Sequence, residues 1–322
     1  MIQLLLASLL TLMELNVENL FDCEHDSLKN DVEFLPDGSY HWTRWRYWTK
    51  LQKLGKEIMA VNEWEGDSTT NNYLLPDLVA LCEVENDSCM FDLTKRSLLR
   101  RAGYQYVMTK SPDQRGIDVA LLYSPFSFGL INSRSIRIPP MEGMKPTRDI
   151  LYASGVMTDG DTLHVFVVHA PSRAGGESRT RPFRLHVAED LCKAVDSVRA
   201  VSSNPSILIA GDFNDYSGDA SIRYIVAHGL TEVSAHARGR NGAKGTYCYR
   251  GEWGSLDHIF AAGPVLAGFK ESYVYDALWL LETDEKYNGV KPRRNYAGPS
   301  YKNGYSDHLP VVARFDFGGW KE

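Results

Sequence analysis

Short apolar segments recur along this chain, and most of them end in acidic, amide or histidine side chains. Runs of four to eight apolar residues between turn residues are typical of buried β-strands. The sequence contains no stretch of about 18 uninterrupted apolar residues, which excludes a protein with several membrane-spanning helices. A chain of 322 residues with 43% hydrophobic and 24% charged residues is also unlike a disordered protein. The pattern therefore predicts a globular protein built around β-sheets.

The positions of these segments predict the fold class. Strands are predicted at residues 74–81, 118–123, 162–169, 206–211, 256–260 and 309–315. Apolar residues at helical spacing predict helices over residues 42–62 and 184–201. Helices and strands alternate early, and strands predominate late. This order favours an α/β fold with sheets at its centre and helices outside.

The beginning of the chain allows two interpretations. Residues 1–12 are strongly apolar, but they lack a charged leading segment and a clear small-residue cleavage site. They are either the remnant of an export signal or the start of the first strand. We expect residues 13–322 to form a single domain, because no linker or repeat interrupts them. Localisation depends on the same choice: exported or periplasmic with a signal, cytoplasmic without one.

Charge and cysteine content exclude two classes of protein. The net charge is −6, so a basic face along a nucleic-acid duplex would have to be local. The five cysteines are scattered, and none forms a CxxC pair. This spacing argues against a disulfide framework and against a zinc site. We expect mostly free, partly buried thiols.

Six polar segments follow or flank the predicted strands. They are residues 16–19, 83–86, 169–173, 211–215, 255–258 and 306–310. Any one of them could be a simple turn or cap, or in one case a satisfied core histidine. Together they suggest more, because strand ends of the same sense converge at one edge of an α/β sheet. Their carboxylate and amide oxygens suit Mg²⁺, whereas softer metals would require cysteine or dense histidine ligands.

These residues resemble, in order, the motifs of the endonuclease/exonuclease/phosphatase superfamily. The matching positions are Asn16-x-Glu18, Glu83, His169, Gly211-Asp212-x-Asn214, Asp257 and Ser306-Asp307-His308. The superfamily includes pancreatic-type deoxyribonucleases, abasic-site endonucleases, inositol-polyphosphate 5-phosphatases and neutral sphingomyelinases. Residues 16–22, 82–86, 115–123, 148–151 and 304–310 are similar to bacterial, often exported, members. The resemblance implies a deoxyribonuclease-I-like four-layer sandwich, with two central, mostly antiparallel β-sheets flanked by helices.

The resemblance also implies roles for individual residues. The implied metal ligands are Asn16, Glu18, Glu83 and Asp307, with Mg²⁺ as the cofactor and Mn²⁺ as a substitute. Glu18 stands where many members have aspartate. The implied catalytic residues are His169, Asp212, Asn214, Asp257 and His308.

Within the catalytic set the resemblance distinguishes several tasks. Asp212 and Asn214 would orient the attacking water and the phosphate, with Asp212 as general base. His308 would contact the scissile phosphate and Asp257 would orient His308. This carboxylate–imidazole pair should raise the pKa of the imidazole. His169 would bind phosphate or act as general acid, and it argues against the abasic-site branch, which tends to have tyrosine there.

Candidate substrate-binding residues lie near these motifs. Arg173 belongs to a basic segment, residues 172–184, predicted as a mobile loop that could clamp a phosphate, or else as a solvated helix entry. Arg115 and Arg148 adjoin strands and are either phosphate ligands or structural residues. Tyr249, with the neighbouring Tyr247 and Trp253, could stack on a base or sugar or could close the core.

The predicted function is divalent-metal-dependent phosphoester hydrolysis. The leading hypothesis is a phosphodiesterase that cleaves nucleic acid, as an endonuclease or an exonuclease. The alternative is a phosphatase or phosphodiesterase for a small phosphorylated ligand or lipid headgroup, of inositol phosphate or sphingomyelin type. An inactive binding module is disfavoured, since it would have no need for all six segments. We expect a monomer without stable membrane insertion.

Overall fold

The computed structural model describes residues 9–64 and 75–316. In chain order its strands are β1 (Leu9–Leu20), β2 (Leu78–Val84), β3 (Gln105–Met108), β4 (Asp118–Tyr123), β5 (Phe128–Ile136), β6 (Ile150–Met157), β7 (Thr162–His169), β8 (Ser206–Asp212), β9 (Thr231–Glu232), β10 (Tyr247–Tyr249), β11 (Glu252–Gly254), β12 (Asp257–Ala262), β13 (Phe269–Val274), β14 (Leu281–Thr283), β15 (Val290–Pro292), β16 (Tyr296–Ala297), β17 (Ser300–Tyr301) and β18 (Val311–Asp316). The α-helices are α1 (Arg44–Ala60), α2 (Asp87–Phe91), α3 (Glu177–Arg199), α4 (Ala220–Ala227) and α5 (Pro264–Ala267). Within these ranges, no helix has both the length and the apolar character needed to cross a bilayer.

Two six-stranded sheets form the centre of the molecule. The first sheet has the order β13-β18-β1-β2-β4-β3, and the second has the order β5-β6-β7-β8-β12-β9. Strand pairing is antiparallel except for β1 with β2 and β7 with β8. Each parallel pair needs a long crossover connection, and α1 and α3 lie in these two connections. The expected α/β sandwich of two mostly antiparallel sheets with helices is confirmed.

Side-chain alternation in the second sheet separates two layers of the core. In β8, Leu208 and Ala210 belong to the core between the two sheets, whereas Ile207 and Ile209 pack in the core beneath α3 and α4. Because successive side chains of a strand point to opposite faces, every second residue of β8 faces the first sheet. The same alternation determines which side chains at the ends of the strands point toward the first sheet.

The predicted elements agree with the structure best where the sequence pattern is strongest. The strands predicted at 118–123 and 162–169 match β4 and β7, and the helix predicted at 42–62 contains α1. Five strands of the two central sheets, β3, β5, β6, β9 and β13, were not predicted, nor were the short strands β10, β11 and β14 to β17. The solvent-facing edge strand β5 shows why, since its Asn132-Ser-Arg-Ser135 stretch has no apolar run.

Two predictions about element boundaries are wrong. The basic segment 172–184 leads into a helix, as its second interpretation expected, but α3 begins at Glu177, seven residues before the predicted helix start. Pro182 is the sixth residue of α3 and lies inside the helix, so it cannot donate a backbone hydrogen bond to the carbonyl of Ser178. The first strand also continues past its predicted end to Leu20. Of the residues predicted as signal remnant or strand, 9–12 lie in β1, and 1–8 lie outside the described residues.

Candidate active site

The predicted site residues surround one cleft where the two sheets meet. The cleft has a volume of about 1240 Å³. Its lining includes Asn16, Glu18, Glu83, Arg115, Arg148, His169, Arg173, Asp212, Asn214, Tyr249, Asp307 and His308. Asp257, the remaining predicted residue, lies directly behind His308 and hydrogen-bonds to it. The structure therefore brings the complete predicted set together.

Strand alternation explains which side chains enter the cleft. Asp212 continues the set of β8 residues that faces the first sheet, and in β7 His169 continues the same set. In β12, Asp257 lies two residues before Ile259, so its side chain points to the same face, toward the first sheet. His258 therefore points to the other side, where it hydrogen-bonds to Glu232 and to a backbone carbonyl.

Local irregularities of the backbone direct the remaining acidic residues. The register of β1 shifts between Asn16 and Leu20, and that of β2 shifts at Glu83. Glu18, Glu83 and Asn214 have positive φ angles of 51°, 67° and 52°. This conformation is unfavourable for residues other than glycine and typically persists where the surrounding structure enforces it, often at functional sites. The bulge in β2 turns Glu83 into the cleft although its neighbour Cys82 already faces the second sheet.

Hydrogen bonds join the two sheets at the floor of the cleft. The Asn16 amide donates to Asp212 Oδ2 over 3.0 Å, and the backbone N–H of Asn214 donates to Asp212 Oδ1 over 2.8 Å. The Asn214 side chain is held in turn by the carbonyl of Ala170 at 3.1 Å. His169 Nε2 lies 3.7 Å from Asp212 Oδ2 and 3.9 Å from Glu83 Oε1. Residues from both sheets thus form one fixed polar cluster.

His308 forms a buried ion pair with Asp257. Its Nδ1 lies 2.7 Å from Asp257 Oδ2, and Thr246 donates a second hydrogen bond to the same oxygen. The loop that carries His308 is tied to the first sheet, since the Ser306 hydroxyl donates to the carbonyl of Asn16. Burial opposes a charge on His308, but the nearby aspartates outweigh this effect and raise its pKa well above the ordinary value. The direction predicted for this pKa is confirmed, so His308 is a cation at neutral pH.

The other titratable groups of the cluster are shifted differently. Burial, followed by the charge of Asp257, raises the pKa of Asp212 to about 7. Burial and the neighbouring arginines lower the pKa of His169 well below its ordinary value. These shifts favour a neutral imidazole at His169 and a cationic imidazole at His308, and they bring the pKa of Asp212 near neutral pH.

Glu18 makes contacts that its predicted role did not include. Its two carboxylate oxygens accept the backbone N–H groups of Asn295 and Tyr296, at 2.6 and 2.9 Å. Burial, followed by the charge of Asp307, raises the pKa of Glu18 to about 7. Asp307 itself accepts a hydrogen bond from Arg294 over 2.9 Å. Direct metal coordination by Glu18 stays a prediction.

The donor atoms of this region fit a hard divalent cation. Glu83 accepts the backbone N–H of Asn19 through Oε2, while Oε1 lies on the side of Arg115, 3.7 Å away. Asn16, Glu83 and Asp307 all line the cleft and carry amide or carboxylate oxygens. Mg²⁺ prefers such oxygen ligands. The mutual repulsion that raises the pKa of Glu18 is the kind that a bound cation would relieve.

The predicted phosphate-binding arginines differ in how fully their guanidinium groups are hydrogen-bonded within the protein. Arg148 is buried and donates to Asp113 and to the carbonyls of His169 and Ala170. The Arg115 side chain is 41% exposed and contacts Asn19 and Glu83 at longer distances. Arg115 therefore remains available at the cleft surface, whereas Arg148 supports the strand end that carries His169.

Arg173 and Tyr249 also line the cleft. Arg173 donates to Asp215, Asp219 and the carbonyl of Asn214, which fixes the loop after β8. Tyr249 lies on the β10–β11 hairpin and is 56% exposed. The preceding Tyr247 packs against His308, with 4.9 Å between the ring centroids. Substrate contacts by Arg173 and Tyr249 stay predictions.

Several residues of the site were not predicted from the sequence. Arg294, Tyr40 and Tyr296 line the cleft, but they come from loops or, for Tyr296, from the two-residue strand β16, and none of these has a recognisable sequence pattern. Lys50 is buried on α1, and the negative charges of Glu18 and Asp307 partly offset the effect of burial on its pKa. Its spacing from Leu51 and Leu54 on the buried face of α1 could have indicated this position.

Glu14 is a second buried group that the sequence did not reveal. It lies two residues before Asn16 in β1, and its side chain is 0% exposed. Neither carboxylate oxygen has a hydrogen-bond partner among the described residues. Burial, and then the charges of Asp257 and Asp212, raise its pKa well above the ordinary value. Burial therefore favours the neutral form of Glu14 beneath the cluster.

Comparison with known structures shows the same architecture over nearly the whole chain. An endonuclease/exonuclease/phosphatase family protein from Bacteroides thetaiotaomicron matches with a TM-score of 0.62 and 17% identity, covering 97% of this chain and 98% of the other. The human Nocturnin catalytic domain with a bound sulfate matches with a TM-score of 0.58 and 18% identity, covering 97% and 96%. The mannosyl-6-phosphatase of B. thetaiotaomicron gives 0.61 and 17%, covering 94% and 98%. At these identities the likeness concerns the fold.

The sequence itself identifies the family. No curated protein matches it significantly. The model of the endonuclease/exonuclease/phosphatase family, however, matches residues 11–316. This range contains every residue of the cluster just described, from Asn16 to His308. The chain belongs to the endonuclease/exonuclease/phosphatase family.

Proposed function

We propose that this protein is a divalent-metal-dependent phosphodiesterase that cleaves nucleic-acid strands. The observation that carries the proposal is the cluster across the two sheets, in which Asp212 is bonded to Asn16 and lies near both His169 and the His308–Asp257 pair. Phosphoester hydrolysis needs a base for water and positive or hydrogen-bonding groups for the phosphoryl oxygens. The cluster provides both within one cleft.

Asp212 is suited to accept a proton from the attacking water. A general base works best when its pKa lies near the working pH, and the pKa of Asp212 is about 7. Its two hydrogen bonds, from Asn16 and from the backbone of Asn214, hold the carboxylate in one orientation. Water bound beside Asp212 would therefore be activated without a large movement of the base.

The two histidines are suited to hold the phosphate. His308 is kept cationic by Asp257, so its free Nε2–H can donate to a phosphoryl oxygen as negative charge develops there. His169 is neutral, so one ring nitrogen can donate without adding a second buried positive charge. Asn16, Glu83 and Asp307 would hold the divalent cation, which when bound polarises a phosphoryl oxygen and offsets its charge.

The shape of the cleft favours a diester over a terminal phosphate. On the side of the first sheet the lining continues to Tyr40, Arg294 and Tyr296. On the side of the second sheet it continues to Lys145 and Arg179. A nucleic-acid strand, which continues on both sides of the scissile phosphate, would contact aromatic rings at one end of the cleft and cations at the other.

A small phosphoester remains the second candidate substrate. The protein carries a net charge of −6, and Arg148 and Arg173 are occupied by protein acceptors. Both observations reduce the positive charge available to a long polyanion. They favour a phosphatase or small-molecule phosphodiesterase, which needs fewer phosphate contacts.

A hydrolysis assay with matched substrates tests the proposal. Single-stranded DNA, plasmid DNA, RNA, bis-(p-nitrophenyl) phosphate, inositol phosphates and phosphosugars would be incubated with Mg²⁺ or Mn²⁺, and in parallel with EDTA. We expect EDTA-sensitive cleavage of a nucleic acid at catalytic enzyme levels. Turnover confined to a small phosphoester would assign the second function. Activity that survives complete metal removal would contradict the metal-dependent mechanism.

A further inference from the structure

The cleft extends past His169 into an arm that the proposed chemistry does not use. Residues 143–147 line one side of this region, which we call the α3 arm. The other side is lined by residues at the start of α3, namely Ala174, Gly175, Arg179, Thr180 and Phe183. The two sides pack closely: a Cβ built on Gly143 would lie 3.8 Å from Phe183 Cζ. Farther along α3, His186 Nε2 lies 3.0 Å from the carbonyl oxygen of Pro139. The loop thus lies along the first turns of the helix.

Two cations of the α3 arm lack protein partners. Arg179 lies one turn before Phe183, so the two side chains share the face of α3 that meets the loop. Lys145 lies on the loop itself. Both side chains are exposed, and neither makes a hydrogen bond or ion pair with any described residue. In contrast, Arg173 and Arg184, in the same stretch of sequence, are both paired with Asp215.

The beginning of α3 adds partial positive charge to the same arm. Gly176 is the N-cap residue, and no side chain caps the helix there. Helix N-termini leave backbone N–H groups without intrahelical partners and attract anions. Gly175 and Gly176 both have positive φ angles, and nothing lies within 4 Å of a Cβ built on either. No other described residue therefore covers the Cβ positions of these two glycines at the start of the helix.

A buried hydroxyl group gives an independent indication of a ligand. Thr147 lines the cleft and is only 6% exposed. Its Oγ1 has no hydrogen-bond partner among the described residues. Buried polar atoms of this kind are nearly always hydrogen-bonded, so an unpaired one at a cleft wall indicates a group that is supplied from outside the protein. A phosphate oxygen would accept the hydrogen bond.

We propose that the α3 arm is a subsite for a second phosphate group of the substrate, bound by Lys145, Arg179, Thr147 and the first N–H groups of α3. The inference rests on the proposed function, because it places this phosphate next to the scissile one. The connection is direct in the structure: Thr147 precedes Arg148, whose guanidinium group is bonded to the carbonyls of His169 and Ala170. The arm therefore opens beside the catalytic histidine.

Two neighbouring phosphate groups can belong to either of two kinds of substrate. In a nucleic-acid strand the second phosphate would be that of the neighbouring nucleotide. In a small substrate it would be the second phosphate of a bisphosphate. Both require two phosphate groups a short distance apart, and both leave a substrate with a single phosphate unaffected by the subsite.

Equilibrium binding without metal tests the subsite separately from catalysis. The probes are a nucleoside 3′,5′-bisphosphate and the corresponding 5′-monophosphate, both measured in EDTA. We expect the wild-type protein to bind the bisphosphate about tenfold more tightly or better, because its second phosphate gains charge-assisted hydrogen bonds that the monophosphate lacks. The Lys145→Gln/Arg179→Gln variant should lose this preference and keep its affinity for the monophosphate. Thr147→Val should weaken only bisphosphate binding.

A matched control removes the same charge elsewhere. Arg223 and Lys244 are exposed and do not line the cleft, so Arg223→Gln/Lys244→Gln should bind both probes as the wild type does. Equal binding of both probes by the wild type, or an equal loss of both in the Lys145→Gln/Arg179→Gln variant, would overturn the subsite. If bisphosphate binding follows the prediction but no phosphoester is hydrolysed, the proposed function fails and the subsite stands.

Turnover then identifies the source of the second phosphate. Short oligonucleotides, inositol bisphosphates and bis-(p-nitrophenyl) phosphate would be compared in the wild type and in Lys145→Gln/Arg179→Gln. A rise in KM for oligonucleotides alone supports a strand phosphate, and a rise for bisphosphates alone supports a small substrate. Turnover of bis-(p-nitrophenyl) phosphate, which has one phosphate, should stay unchanged. A similar loss on all three substrates would contradict the subsite.

Discussion

Glu83 and Glu85 lie two residues apart at the end of β2 but have different surroundings. Glu83 lines the cleft, where it accepts a backbone hydrogen bond from Asn19. Glu85 is outside the cleft lining and accepts hydrogen bonds from the backbone of Asp22 and the side chain of Asn86. Burial raises the pKa of Glu85 to about 8, so it is mostly protonated at neutral pH. A substitution of Glu83 can therefore be compared with the same substitution of Glu85 as a control.

We predict that Glu83→Gln lowers the rate of hydrolysis by about 100-fold or more while the protein stays folded. The substitution keeps the size of the side chain but replaces the carboxylate of the proposed metal ligand with an amide. Glu85→Gln should leave activity within about twofold, because it replaces a neutral carboxyl group with a neutral amide. Steady-state kinetics and Mg²⁺ titration by calorimetry measure both effects. Wild-type Mg²⁺ affinity in Glu83→Gln would contradict the ligand assignment.

The His308–Asp257 pair leads to a prediction about pH. Asp257→Asn removes the charge that keeps His308 protonated, so the pKa of His308 should fall. The alkaline limb of the profile of kcat/KM against pH should then move to lower pH, and activity at neutral pH should drop about 100-fold. NMR titration of the imidazole follows the pKa directly.

A second histidine–carboxylate pair serves as the control for this experiment. His258 and Glu232 lie 2.8 Å apart, and neither residue lines the cleft. Glu232→Gln should therefore leave the activity profile in place. If Asp257→Asn and Glu232→Gln changed the profile alike, the effect would come from general loss of structure, and the proposed role of Asp257 would be excluded.

The residue-level predictions from sequence succeeded where a motif fixes both identity and direction. Asp307 and His308 are adjacent, and they do point apart, toward Arg294 and Asp257. The contacts of Glu18 and Arg148 could not be predicted, because each depends on backbone atoms brought in from distant parts of the chain. Glu18, for example, binds N–H groups 277 and 278 residues later in the sequence.

At the scale of elements, apolar runs predicted the central strands but not their irregular ends. The sequence of β7 contains the uninterrupted run Val165-Phe-Val-Val168, and its bounds were predicted correctly. The shifts in β1 and β2 have no such signal, since Glu18 and Glu83 are not residues that favour positive φ angles. Packing against the second sheet and the loop at 295–296 enforces these conformations, and such long-range constraints are not visible in a local pattern.

Gly211 gives a prediction about how β7 and β8 are held together. A Cβ at this position would lie 1.9 Å from the backbone oxygen of Val168 in the paired strand. Gly211→Ala should therefore separate the strand ends that carry His169 and Asp212. We expect a loss of about 3 kcal/mol in the free energy of unfolding, and weaker catalysis in the protein that remains folded.

A second glycine in the following loop provides the comparison. Nothing lies within 4 Å of a Cβ built on Gly218, and its backbone angle is not unusual. Gly218→Ala should change the free energy of unfolding by less than about 0.5 kcal/mol. Urea denaturation of both variants checks the pair. Equal stability of Gly211→Ala and the wild type would show that the two strand ends can move apart without cost.

At the scale of the whole molecule, the site exists only because two sheets meet. The first sheet supplies Asn16 and Glu83, and the second supplies His169, Asp212 and Asp257. No local segment contains a complete set of catalytic groups. Folding therefore collects several acidic groups in one buried place, and this concentration of charge has consequences for stability.

The metal-free protein should lose stability as the pH rises from about 5 to about 8. Burial raises the pKa of Glu18 and Asp212 to about 7, and that of Glu57 and Glu85 to about 8. Between its ordinary pKa and these values, each group is protonated in the folded state and ionised in the unfolded state. The free energy of unfolding therefore falls as pH rises through this window. His169 and His164, whose pKa values are lowered, act in the opposite direction but are fewer than the carboxyl groups.

Bound Mg²⁺ should reverse this trend, because a cation at the site favours the ionised carboxylates. Urea denaturation at about pH 5 and about pH 8, with EDTA or with Mg²⁺, measures both effects. We expect the stabilisation by Mg²⁺ to be larger at the higher pH. The Glu57→Gln/Glu85→Gln variant separates the two contributions, since neither residue lines the cleft: its metal-free stability should depend less on pH, while its response to Mg²⁺ should persist. Equal stabilisation by Mg²⁺ at both pH values would show that the shifted carboxylates of the cleft do not bind the ion.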